Sequence, residues 1–173
     1  MSNCILLSLP DKLSDRVLSW AKEHISSSDI YGKDGKGYEH APHITAAYGI
    51  DDDNVEGAVK RALDGVGPFT VKLGAVDFFM DPTKEYHVIK ISVLPGPAEE
   101  FHERVVSNVG MYDPTYEYHP HITLAYVKPG RCQDLMGDQS FAGEDVEISS
   151  GMLMTDDNNP KRIRFGGMHG VDS

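Results

Sequence analysis

Apolar positions along the 173-residue chain recur with two different periods, and the switches between them divide it into elements. Asn3 to Leu9 is an apolar run too short for a buried helix and closed by Pro10, which predicts a strand. From Asp11 to Ile25 the residues Leu13, Val17, Leu18, Ala21 and Ile25 fall near helical spacing, with Asp11 placed to cap the helix and Trp20 as a packing residue on it. A second stripe, Val55, Ala58, Val59, Ala62 and Leu63, predicts a helix with acidic residues at its start and Gly65 and Gly67 after it. Phe69 to Met80 and Tyr86 to Leu94 are extended runs joined by the turn DPTKE; His87, Ile89, Ile91 and Val93 share a face there, with His87 structural or at the surface. A third helix is predicted over Pro97–Val109, and Asp145–Met154 with Arg162–Met168 read as a closing hairpin around DDNNPK.

Between these elements lie two windows that repeat 78 positions apart. Glu39–Gly49 reads EHAPHITAAYG and Glu117–Val127 reads EYHPHITLAYV, identical at seven of eleven positions. The order of elements around the windows repeats as well, over roughly 3–80 and 86–154, so the motif belongs to a duplicated half-chain. Each window reads as a strand. Alternation then places His43, Thr45 and Ala47 on one face and Ile44, Ala46 and Tyr48 on the other; the second copy has His121, Thr123 and Ala125 opposed to Ile122, Leu124 and Tyr126. The Ile faces are expected in the core, and Tyr48 and Tyr126 with them. The expected fold is α+β, with two pseudo-symmetric lobes of antiparallel sheet, flanking helices and a central cleft lined by the two H-x-T strands. It forms a single bilobal domain over 1–173, with approximate lobes 1–80 and 86–173.

Composition narrows the partners. Sixteen basic against 27 acidic residues give a formal charge of −11, which disfavours duplex or long nucleic acid and favours a small nucleotide or oligonucleotide. There is no basic n-region before the first apolar run and no apolar stretch of membrane-spanning length, so neither export nor a membrane is expected. Cys4 and Cys132 stand far apart without metal-type spacing, as expected of inert thiols in a reducing cytoplasm.

Two imidazoles facing each other across a cleft can divide acid and base work, and a hydroxyl two residues on can donate to the non-bridging oxygens of a phosphodiester. In-line displacement at phosphorus needs groups on opposite sides in this way. His119-x-His121 is a weak metal pair, because Ala41 stands where the first copy would need the second imidazole; His119 is better read as a substrate or orienting group. Tyr116 and Tyr118 are candidates to stack a base. Lys33 and Lys36, in the polar loop 26–40 that could fold over a ligand, are candidates for phosphate contacts, and Arg131, Lys161, Arg162 and Arg164 are further ones.

The paired Pro-His-Ile-Thr strands in duplicated α+β halves resemble the 2H phosphoesterase superfamily. That superfamily includes RNA 2',3'-cyclic phosphodiesterases, also called 2'-5' RNA ligases, and phage anti-CBASS nucleases that destroy cyclic oligonucleotide messengers. The resemblance implies that His43 and His121 are acid and base in an order left open, that Thr45 and Thr123 hold the phosphate, and that no metal or other cofactor takes part. The expected activity is cleavage of a small nucleotide, a cyclic oligonucleotide first, with 2',3'-cyclic RNA end processing and nucleotide sequestration without turnover as alternatives.

Overall fold

Strand β1 (Asn3–Ser8) leads through helix α1 (Asp11–His24) to β2 (His43–Asp51), and α2 (Val55–Leu63) then leads to β3 (Phe69–Phe79). The chain continues through β4 (His87–Val93), α3 (Pro97–Val106), β5 (Met111–Tyr112), β6 (His121–Val127), β7 (Asp145–Ile148), β8 (Ser150–Met154) and β9 (Lys161–Arg164). These elements come from a computed structural model that describes residues 3–112, 117–155 and 159–166. The expected α+β class holds, with every strand pairing antiparallel.

The sheet order is β7-β3-β4-β6-β2-β1-β8-β9, with β5 attached to β2. Its centre is the contact of the two motif strands, where Ile44 pairs with Ile122, its own repeat mate 78 positions on. On either side the order is symmetric: β1 flanks β2 and β4 flanks β6. Further out the halves exchange strands. β3 sits beside β4, and β8, with β9 beyond it, sits beside β1, so the sheet's midline does not coincide with the boundary between segments 1–80 and 86–173. The helices cross over too: α1 packs against β6, and α3 against β2. Each motif strand is thus supported from beneath by the other half of the chain.

Three sequence expectations change. Pro10, not Asp11, is the N-cap of α1; Asp11 sits in the first turn and acts on the helix dipole instead. The third helix stops at Val106, three residues early, although Val106 and Val109 still pack against the core. The run from Asp145 to Met154 breaks at Ser149 into β7, which pairs with β3, and β8, which pairs with β1. One residue spans only about 3.5 Å. The two outer regions of the sheet must therefore meet at Ser149, which curls the sheet on itself, and the stacked and tilted rings of Phe69, Phe101 and Phe165 fill the seam.

The motif strands do not alternate as a plain strand would. On β2, Leu6 pairs with Thr45 but Ile5 pairs with Ala47, leaving Ala46 without a partner on β1; on β6, Lys90 pairs with Thr123 but Ile89 pairs with Ala125, leaving Leu124 over. Both are β-bulges at the same repeat position, and an inserted residue reverses which face the next side chain takes. Ala47 and Ala125 are buried at 1% and 0% exposure instead of lining the cleft, and Tyr48, expected in the core, is 71% exposed. Tyr126 turns outward with it and is only partly buried.

At the seam, a methyl group added at Gly151 would collide with the backbone carbonyl of Leu6 on β1, an atom that cannot move aside. Gly151→Ala should cost about 1–3 kcal/mol, read as a fall in Tm of about 2–4 °C per kcal/mol in a thermal melt.

Candidate active site

The register at Ile44 and Ile122 sets the site. Were the ladder continued one step each way, His43 would stand opposite Thr123 and Thr45 opposite His121, each imidazole facing the other copy's hydroxyl. That register directs the side chains of His43, Thr45, His121 and Thr123 to one face around the single Ile44–Ile122 pair. The strands separate beyond the single pair, which opens the cleft above them. The backbone groups freed by that separation are satisfied elsewhere: β2 pairs with β5, and β6 bonds to the loop 29–39 through Asp29, Tyr31, Gly37 and Glu39. That loop, which could fold over a ligand, is fastened along β6 by these bonds.

The two imidazoles are oriented by one repeated device. His43 Nδ1–H donates to the Ala41 carbonyl at 2.8 Å, and His121 Nδ1–H donates to the His119 carbonyl at 2.7 Å. A carbonyl only accepts, so in the neutral form the proton sits on Nδ1 and the Nε2 lone pair is left for chemistry. The environments then differ. Burial, above all, holds the His121 imidazole below the ordinary histidine value; Lys90, His43 and His119 add like-charge repulsion, against the pull of the His119 carbonyl. The Phe79 ring stands nearly perpendicular to that of His121, centroids 4.9 Å apart, and forms part of the wall around it.

The other anticipated residues divide. His119 stays exposed, its ring 3.5 Å from the Glu117 carboxylate, and its contribution to the centre is the carbonyl that orients His121. Tyr118 is diverted from base stacking: its ring lies flat on His102 at 4.0 Å, and its hydroxyl donates to the Thr45 carbonyl. Tyr116 lies outside the described residues. Lys33 sits over the ring of Tyr31 and Lys36 over that of Tyr86, which packs nearly perpendicular to Tyr126. Arg131 is paired with Asp29 and Lys161 with Glu56. Arg162 shares the cleft face through the row Thr45, Leu6, Met152 and Arg162, but three strands or about 14 Å away. Cys132 is no nucleophile, since burial and Asp29 push its thiol up to about 11.

Sequence reasoning missed three contributors. His102 on α3 is 6% exposed and donates from Nδ1 to the carbonyl of Ala46, the bulge residue of β2. Together with Tyr118 it clamps the bulge from the core side; no local pattern announced it, because its partner is 56 residues away. Lys90 and Phe79 border His121 from β4 and β3, and only the sheet order makes them neighbours. Among the described residues no group of three or more His, Cys, Asp or Glu side chains is placed to hold a metal ion. No helix there is long and apolar enough to cross a membrane.

A curled antiparallel sheet with two H-x-T strands at its pseudo-twofold centre defines a phosphoesterase of the two-histidine class. The family model of the 2'-5' RNA ligase superfamily matches residues 10–142, and the chain belongs to that superfamily; it is a 2H phosphoesterase, a nucleotide-processing enzyme. Among solved structures, E. coli LigT in its apo form is 14% identical, with a TM-score of 0.65 over 99% of this chain and 91% of LigT. LigT complexed with 3'-AMP is 15% identical, with a TM-score of 0.62 over 98% and 90% of the two chains. Kluyveromyces marxianus Usb1 is 8% identical, with a TM-score of 0.63 over 95% of this chain and 98% of that one. At these identities the likeness is one of fold. No curated protein sequence matches the chain.

Because the folded-state value of His121 is depressed, the stability that comes from keeping it neutral is complete above the unfolded value near 6.5. It is lost as pH falls through the lower folded value. NMR titration of the His121 Cε1–H should give a midpoint below that of a free histidine; a midpoint at or above it contradicts the buried environment described here.

Proposed function

We propose that this enzyme cleaves a phosphodiester in a small nucleotide by acid–base catalysis, with His121 as the base and His43 as the acid. The observation that carries the reading is the pair of imidazoles with identical Nδ1–H to carbonyl bonds, set across the central register so that both Nε2 atoms are available. His121, held toward its neutral form, accepts the proton of the attacking oxygen, a ribose hydroxyl or water. The new P–O bond forms as the old one breaks, and His43 gives its Nε2 proton to the departing oxygen. The hydroxyls of Thr45 and Thr123 donate to the non-bridging oxygens as charge builds on them.

The substrate we infer is a cyclic oligonucleotide messenger of two or three nucleotides, as in the anti-CBASS nucleases. Its support is the net charge of −11, which weighs against long polyanions, and the fold shared with LigT, which has been crystallised with 3'-AMP, ATP and NADP+. The aromatic group of Tyr31, Tyr86 and Tyr126, flanked by Lys33 and Lys36, suits a base and its phosphate on the same side of the cleft as Thr123. Family membership favours a second reading, processing of 2',3'-cyclic phosphate ends in RNA.

Turnover in EDTA of cyclic di- and trinucleotides, 2',3'-cyclic nucleotides and a 2'-5'-linked dinucleotide, followed by chromatography, separates these readings. Cleavage of the cyclic oligonucleotides supports the first, cleavage of 2',3'-cyclic ends alone supports the second, and binding without product leaves a sequestering module. His43→Ala and His121→Ala should each lower the rate about 10²- to 10⁴-fold with the melt unchanged, and Thr45→Val or Thr123→Val should cost less. Full activity in either histidine variant removes the assignment.

A further inference from the structure

Lys90 lies on β4 with Thr123 directly across from it on one side and Asp77 on the other. Cross-strand partners share a face, so its side chain rises from the catalytic face about 5 Å from Thr123. It is 7% exposed. Its Nζ stands 4.0 Å over the centre of the Phe79 ring, which in turn packs nearly perpendicular to the His121 ring. Among the described residues its ammonium forms no salt bridge, and the Asp77 carboxylate, which accepts the Phe78 N–H, acts on it only through space. The stem is buried while the ammonium, set on one aromatic face, keeps a charge that is only partly compensated.

The other half of the molecule shows what the position looks like without that charge. Ser8 pairs with His43 and Ser92 with His121, so the rows through the histidines match. The rows through the threonines do not: Thr45 has Leu6 beside it where Thr123 has Lys90. The site is therefore symmetric in its histidines, hydroxyls and flanking serines and asymmetric in one cation. An anion bound between the threonines would complete the missing pairing of that cation.

We propose that Lys90 is a further catalytic residue, its ammonium binding a non-bridging phosphoryl oxygen beside Thr123 and, with Leu6 as its counterpart, fixing which way the phosphate lies between the two histidines. This rests on the phosphodiesterase reading for its substrate. A one-sided cation makes the acid and base roles non-interchangeable. Among the described residues the charged and titratable groups that face His121 are Lys90 from β4, His43 from β2 and His119 on its own segment, while Asp77 on β3 faces Lys90. Removing Lys90 takes away one positive neighbour, so the His121 midpoint rises.

The test compares Lys90→Met, which keeps length and apolar contact, with Lys90→Arg, which keeps the charge. Lys90→Met should lose about 10²-fold in kcat with little change in KM on whichever of 2',3'-cyclic AMP or a cyclic dinucleotide the enzyme turns over. The acid limb of its kcat/KM profile should move to higher pH, and Lys90→Arg should retain most of the rate. Two readouts do not need turnover: the His121 Cε1–H midpoint should rise in Lys90→Met, and its affinity for inorganic phosphate should fall about tenfold. The Lys90→Met melt should be little changed, since the apolar stem is kept and the ammonium makes no ion pair among the described residues. If no substrate is turned over but phosphate affinity and the His121 midpoint shift as stated, the phosphodiesterase reading falls while the anion site stands. Unchanged kcat and phosphate affinity in a folded Lys90→Met overturn the proposal. So does a lowered melt in both variants with the phosphate affinity of the folded fraction intact, which assigns Lys90 to packing.

Discussion

The pairing of Ile44 with Ile122 at the pseudo-twofold centre is the constraint on which the rest depends. Both side chains are fully buried, so their strands cannot shift by one residue without turning the whole apolar face to solvent. With that register held, each His-x-Thr pair has one possible place, on the opposite face and across from its copy. The strands are then free to part on either side, and β5 and the loop 29–39 take up their unpaired backbone groups. A cleft between paired strands thus exists while backbone groups along both parted edges find partners elsewhere.

The bulges at Ala46 and Leu124 do the second part of the work. By admitting one extra residue each, they bury Ala47 and Ala125 and turn Tyr48 and Tyr126 to the catalytic face. The first bulge is secured from the opposite half, by His102 on the Ala46 carbonyl and Tyr118 on the Thr45 carbonyl. The second is met by the amide of Glu39, which donates to the Leu124 carbonyl. Each catalytic strand is therefore positioned by residues distant in sequence, a consequence of helices that cross to the other half's strand.

Around this symmetric frame the electrostatics are not symmetric. His121 is walled by Phe79 and has Lys90 nearby, while its mate His43 has Leu6 and Ser8 on the neighbouring strand. A duplicated site that began with interchangeable roles can be given a direction by one such substitution, because a phosphodiester in the cleft interacts unequally with a cation and an isobutyl group. The active centre can in this way be locally cationic within a chain that is strongly acidic as a whole.

The sequence by itself determined the α+β class and the two motif strands, and it singled out His43, Thr45, His121 and Thr123, the residues proposed here for the chemistry, because a repeat with period-two alternation is local information. It also determined the buried stripe of α2, which the structure reproduces residue for residue. It misplaced Tyr48 and Tyr126 because Ala-Ala and Leu-Ala carry no glycine to announce a bulge, and alternation counted through an inserted residue gives the wrong face. The identity of that tyrosine in both windows, where a core needs only an apolar residue, was the available signal. What only the tertiary structure decided is which distant residues meet: the break at Ser149 that curls the sheet, the reach of His102 to Ala46, and the placing of Lys90 beside Thr123. Those depend on strand order and register, which are set by burial of the whole apolar face and are written in no single stretch of the chain.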